Sequence, residues 1–170
     1  MFLFFLIFTI IGFLEIKKYN INKILYFLTI FLSLFLYEIN PIIFVIVPLL
    51  ISQCFIDFKA KELSNINNLL LFIFTLSYSI YNSSVNWLSI IIMIGIYLIL
   101  YLLPITSLGF GDVKLIAAIS CMIPTIYISS FIFYPFLFGL ILGLFYKLIL
   151  KQNTFPMGPP IILTFLIFAL

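Results

Sequence analysis

Apolar runs alternate with short polar links along the chain. The runs lie near residues 1–16, 24–37, 41–56, 69–81, 87–103, 112–123, 127–149 and 161–170. A helix crosses a bilayer with about 20 apolar residues, in a usual range of roughly 17–25. The second, fourth, sixth and eighth runs are short. They need protein packing, local bilayer thinning or extension into their polar flanks. The pattern predicts an all-α fold, a polytopic transmembrane helix bundle of about eight segments. It forms a single domain over 1–170, with no internal repeat and no flexible interdomain linker.

The links carry the orientation. With the N-terminus outside and the runs alternating, Lys17, Lys18, Lys23, Lys59, Lys61, Lys114, Lys147 and Lys151 all fall on one side. The links on the other side, at residues 38–41, 82–86 and near Pro124-Thr125, hold no lysine. Lysine-rich loops stay in the cytoplasm. A different number of crossings would spoil the alternation, so it supports eight. The first run has no basic leader and no small-residue cleavage site, and Glu15-Ile16-Lys17-Lys18 follows it. It is expected to remain as a helix.

Composition narrows the chemistry. Hydrophobic residues make up 66% of the 170, against about 45–50% in soluble domains. The lysines follow the loops and form no basic face for nucleic acid. The chain has no histidine, which removes a Ser–His protease and an H-E-x-x-H zinc protease. Cys54 and Cys121 stand alone, so no metal site is expected.

Against this background two acids stand out. Asp57 closes the third run, and Asp112 opens the sixth. An ionisable group at membrane depth marks a functional site by default. The lysine pattern sets both on the cytoplasmic side, far apart in sequence but at one level. Two carboxylates meeting there suit acid–base chemistry, one ionised and one protonated. Each has a simpler reading. Asp57 can be an exposed aspartate ending its helix, although negative charge is unfavourable at a helix C-terminus. Asp112, in Gly109-Phe110-Gly111-Asp112-Val113-Lys114-Leu115, stands where an N-cap belongs after a glycine-rich turn. The glycines permit positive φ or close backbone approach. Ala117, Ala118 and Ser120 give the following helix a small face for tight packing. Asn65, Asn67 and Asn68 are candidate caps for a helix beginning near Leu69. Phe155-Pro156-Met157-Gly158-Pro159-Pro160 forces an irregular stretch before the last run. It is either an ordinary loop with prolines starting a helix or the lining of a wet cavity.

Together these three elements resemble the type IV prepilin peptidases, a family of G-x-G-D aspartyl membrane proteases. There the first aspartate is followed, after five residues, by a Leu/Ile-Pro-Asp/Asn-like step, matched here by Leu63-Ser64-Asn65. The G-x-G-D-x-K-L string is matched by Gly109 to Leu115, and a Pro-Phe-Gly-Pro-like stretch by Pro156-Met157-Gly158-Pro159. The likeness covers about residues 41–170. Ser64 stands where proline is frequent, which predicts a less rigid loop. Residues 17–23 replace the cysteine-paired cytoplasmic insert of many relatives, which leaves methylation of the product without a counterpart.

The resemblance implies that Asp57 and Asp112 are catalytic, with Gly109, Gly111, Lys114, Asn65, Gly158 and Pro159 supporting them and no cofactor required. It implies prepilin or pilin-like substrates, cut at the cytoplasmic face of a bacterial inner membrane. Two close carboxylates would titrate as a pair. The main alternative is a non-enzymatic transporter or ion-coupled carrier that uses the two aspartates as a cation site.

Overall fold

The structure, a computed structural model, describes residues 1–103, 108–152 and 154–169. Among these the fold is all helical. The helices are α1 (Phe2–Lys18), α2 (Lys23–Ser33), a one-turn α3 (Leu36–Ile39), α4 (Pro41–Ala60), α5 (Asn65–Tyr81), α6 (Trp87–Leu102), α7 (Phe110–Ser120), α8 (Ile128–Leu148) and α9 (Gly158–Ala169). Each of the eight expected runs holds one principal helix. The second run is divided between α2 and α3. The Ser33 hydroxyl bonds back to the Ile30 carbonyl at 2.7 Å, a local bond that competes with the helical ladder.

Two stretches are long and apolar enough to cross a membrane by themselves. One is α4, and the other is Thr125–Leu148, in which a 3₁₀ turn leads into α8. The remaining helices are shorter. The surface fits a lipid setting. Leu3, Leu6 and Ile10 on α1, Ile91, Ile99 and Leu102 on α6, and Leu140, Ile141 and Leu144 on α8 are exposed. The polar side chains Ser52, Gln53, Asn67, Asn68, Thr75 and Ser79 are instead buried. Soluble domains rarely expose apolar surface on this scale.

Two inner helices organise the bundle. α4 packs against α1, α2, α3, α5 and α9, and α7 packs against α5, α6 and α9. The small face of α7 allows close approach, as expected. Thr75 Oγ1 donates to the Ala118 carbonyl at 2.5 Å and Ser79 Oγ to the Cys121 carbonyl at 3.1 Å. The last carbonyls of a helix have no partner within it, so the α5 hydroxyls complete the end of α7.

The links gather at two ends. At one, Lys59 donates to the Asn20 carbonyl, Lys61 bonds Gln152 and Thr154, and Lys114 bonds Asn65. This end collects the lysine-bearing links. At the other, Asn40 bonds the Ala169 carbonyl and Thr125 bonds Asn86.

Candidate active site

The site forms at the lysine-bearing end, where α4 stops and α5, α7 and α9 begin. The apolar run suggests a helix ending at Asp57, but α4 continues to Ala60. Lys61 then closes it in the left-handed region, with φ 55° and its N–H bonded to the Asp57 carbonyl at 2.9 Å. Asp57 therefore occupies the last helical turn. It is 4% exposed, so it is not a solvated helix-ending aspartate.

Asp112 also differs from expectation. The N-cap of α7 is Gly109, and Asp112 is the third helical residue. Its Oδ2 accepts the Gly109 N–H at 2.9 Å, while its own N–H donates to the Gly109 carbonyl at 3.0 Å. A carboxylate in the first turn satisfies an unpaired donor and lies favourably in the helix dipole. Asp112 is 7% exposed.

The glycines act by close approach, since none of them has positive φ. A Cβ on Gly111 would lie 3.1 Å from Leu63 Cβ. A Cβ on Gly158 would lie 2.8 Å from Asp57 Oδ2 and 3.0 Å from Leu63 Cδ2. The Gly158 N–H donates to the same Asp57 oxygen at 2.7 Å. The Pro-Met-Gly-Pro stretch fills the first role left open by its sequence and adds one that the sequence did not show. It starts α9, with Pro159 and Pro160 in the first turn, and it orients Asp57.

Asp57 and Asp112 share a cavity of about 350 Å³ with Lys61, Glu62, Leu63, Asn65, Gly109, Phe110, Gly111 and Lys114. Among the described residues each aspartate accepts one backbone N–H on Oδ2, leaving Oδ1 without a protein donor. Neither lysine on the wall is held by the aspartates. Lys114 Nζ bonds Asn65 Oδ1 at 2.7 Å and sits 4.9 Å from the Phe110 ring centre. Lys61 Nζ bonds Thr154 Oγ1 at 2.6 Å. Of the expected supporting residues, Gly158 reaches the site through Asp57. Pro159 instead lines a neighbouring apolar groove of about 550 Å³ with Cys54, Phe58 and Phe145.

Four further side chains bear on the site: Ser64, Gln53, Glu15 and Tyr97. Ser64, and not an asparagine, caps α5, so the helix begins at Asn65. Asn67 and Asn68 are buried in its first turn. Nor is the loop at Ser64 loose for want of proline. Gln53 accepts the Ser64 N–H at 2.8 Å and donates to its carbonyl at 3.0 Å, and Glu15 accepts its hydroxyl at 2.7 Å. Tyr97 is fully buried in α6, and its hydroxyl has no partner among the described residues. It lies in electrostatic range of Asp112. Glu15 was the one legible signal, as an acid beside an apolar run.

A family model described as the type IV leader peptidase family matches residues 43–144. The match contains Asp57, Asn65, Gly109, Gly111, Asp112 and Lys114, while α1, α2, α3 and α9 lie outside it. No curated protein and no solved structure matches the chain.

Proposed function

The chain belongs to the type IV leader peptidase family, and from that premise we propose that Asp57 and Asp112 make it an aspartyl endopeptidase. Its substrates are prepilins or pilin-like proteins, cut at the cytoplasmic face of a bacterial inner membrane. The observation that carries this reading is the shared cavity. Two buried carboxylates from separate helices face one space, and each is oriented by the backbone N–H of a motif glycine.

Such a pair suits hydrolysis by activated water. One carboxylate, ionised, takes a proton from water as the water attacks the peptide carbonyl. The other, protonated, donates to the carbonyl oxygen; the first then passes its proton to the amine nitrogen as the C–N bond breaks, and the second regains a proton as the new carboxyl group forms. The Gly109 and Gly158 N–H groups hold each Oδ2, leaving each Oδ1 for water or peptide. The basic leader stays in the cytosol, and the apolar helix that follows it lies along the groove beside Pro159. Residues 19–22 are the whole link between α1 and α2, so methyl transfer has no place in the proposal.

The test is Asp57→Asn and Asp112→Asn. Each keeps side-chain size and removes the titrating proton. Each variant should insert normally and lose prepilin cleavage. A correctly inserted variant that cleaves at near the wild-type rate would exclude the pair and favour the carrier reading.

A further inference from the structure

Of the five acidic side chains, three are buried: Asp57, Asp112 and Glu15. The proposed reaction uses two. Glu15 lies near the end of α1, outside the residues matched by the family model. Burying a carboxylate is costly unless it gains partners, and the partner found for Glu15 is specific. Its Oε2 accepts the Ser64 hydroxyl at 2.7 Å, across 49 residues of sequence.

Ser64 is held at every polar atom. Its N–H and carbonyl are clamped by the Gln53 side chain, and its hydroxyl donates to Glu15 while accepting from the Asn67 N–H. Gln53 also donates to Asn68 Oδ1 at 2.7 Å, and Asn68 Nδ2 reaches the Gly111 carbonyl at 3.4 Å. The residue before Ser64 is Leu63. Its side chain is the nearest neighbour of Gly111 and packs on Gly158 beside Asp57. Leu63 is therefore a wedge between the backbone that carries Asp112 and the backbone that orients Asp57. Its placement follows that of Ser64.

We propose that Glu15 is a positioning residue for the Asp57–Asp112 pair, acting through Ser64 and the Leu63 wedge. The inference rests on the reading of that pair as catalytic. It makes α1 a working part of the site and gives Ser64 the rigidity that a proline would supply by ring closure.

The test uses the full-length protein, purified in lipid, with a prepilin substrate. Glu15→Ala and Ser64→Ala remove the same hydrogen bond from opposite sides. Each should lower kcat by about tenfold or more with KM changed less than about twofold, the mark of misplaced catalytic groups. The double variant should be little worse than either single one, because the two residues act as a unit. Glu15→Gln keeps an oxygen that accepts from Ser64 and should restore cleavage to within about threefold of wild type. If Glu15→Ala does not insert, Ser64→Ala carries the same test.

A second readout needs no cleavage. In a background lacking Cys54 and Cys121, a short bifunctional thiol reagent should bridge Asp57→Cys and Asp112→Cys, since both positions line one cavity, and Glu15→Ala should slow that reaction. Unchanged kcat per folded molecule, unchanged cross-linking, or a Glu15→Gln variant as inactive as Glu15→Ala would overturn the inference. A Glu15-dependent cross-link between positions 57 and 112, together with a wild-type protein that cuts no prepilin, would instead overturn the function on which it rests.

Discussion

Adding a single methyl group at Gly158 tests the geometry of the site most directly. In Gly158→Ala the new Cβ would lie 2.8 Å from Asp57 Oδ2, whereas ordinary contact begins at 3.4 Å. The difference, about 0.6 Å, must be absorbed by Asp57, by the start of α9, or by both. Leu63 Cδ2, 3.0 Å away on another side, narrows the escape. A misplacement of about 1 Å in a catalytic group costs on the order of a hundredfold in rate, so 0.6 Å should cost about tenfold or more. Stability should change far less. Overpacking costs about 1–3 kcal/mol, while alanine in a helix regains up to about 1 kcal/mol over glycine. Cleavage of a prepilin and thermal unfolding, measured on one detergent preparation, separate the two effects. The control is Gly95→Ala in α6, where a Cβ meets nothing within 4 Å, and it should cleave normally. A Gly158→Ala enzyme within about twofold of wild type would refute the argument, because the Asp57 carboxylate would then not be held where the structure has it.

Other perturbations probe the rest of the molecule. Single cysteines at positions 59, 147 and 84, placed in a background lacking Cys54 and Cys121, report the topology. An impermeant thiol reagent on intact cells should label only position 84, and labelling at 59 or 147 would reverse the proposed orientation. Thr75→Val removes the hydroxyl bonded to the Ala118 carbonyl and should destabilise the α5–α7 pair by about 0.6 kcal/mol, at most about 1.7. Unchanged unfolding in lipid would show that this bond contributes nothing. Removing either carboxylate at 57 or 112 should abolish cleavage across the whole pH range and not merely shift its optimum, since the two groups work as one unit. A restored rate at some pH would contradict that.

The helices were legible because lipid selects for apolar runs, and the lysines marked the links. Helix ends were less legible. Lys59 sits comfortably in the last turn of α4, where a cation suits the helix dipole, so the first charges did not mark the stop. The same blindness put Asp112 one turn too early in its role. A glycine N-cap and a third-residue carboxylate leave the same string as a glycine turn with an aspartate cap. The link between Ser64, Gln53 and Glu15 was hidden for a different reason. Their partnership spans up to 49 residues, and no local pattern records a contact made only when α1 docks on α4. What sequence order did carry was the convergence of the two aspartates with Gly109 and Gly111 at one cavity.

The shortness of α7 and α9 reaches beyond packing. With 11 and 12 residues, they rise about 16–18 Å at 1.5 Å per residue, little more than half of a hydrocarbon core about 30 Å thick. The two helices adjoin; α7 begins at the cavity and α9 begins with the Gly158 N–H on Asp57. On the proposed reading, water and the cut peptide descend to the aspartates through a dimple where the bilayer bends inward. Such bending costs fractions of a kcal/mol for each ångström of mismatch. On that reading lipid chain length would act on cleavage: a thicker membrane would resist the dimple and keep water from the carboxylates, and a thinner one would admit it.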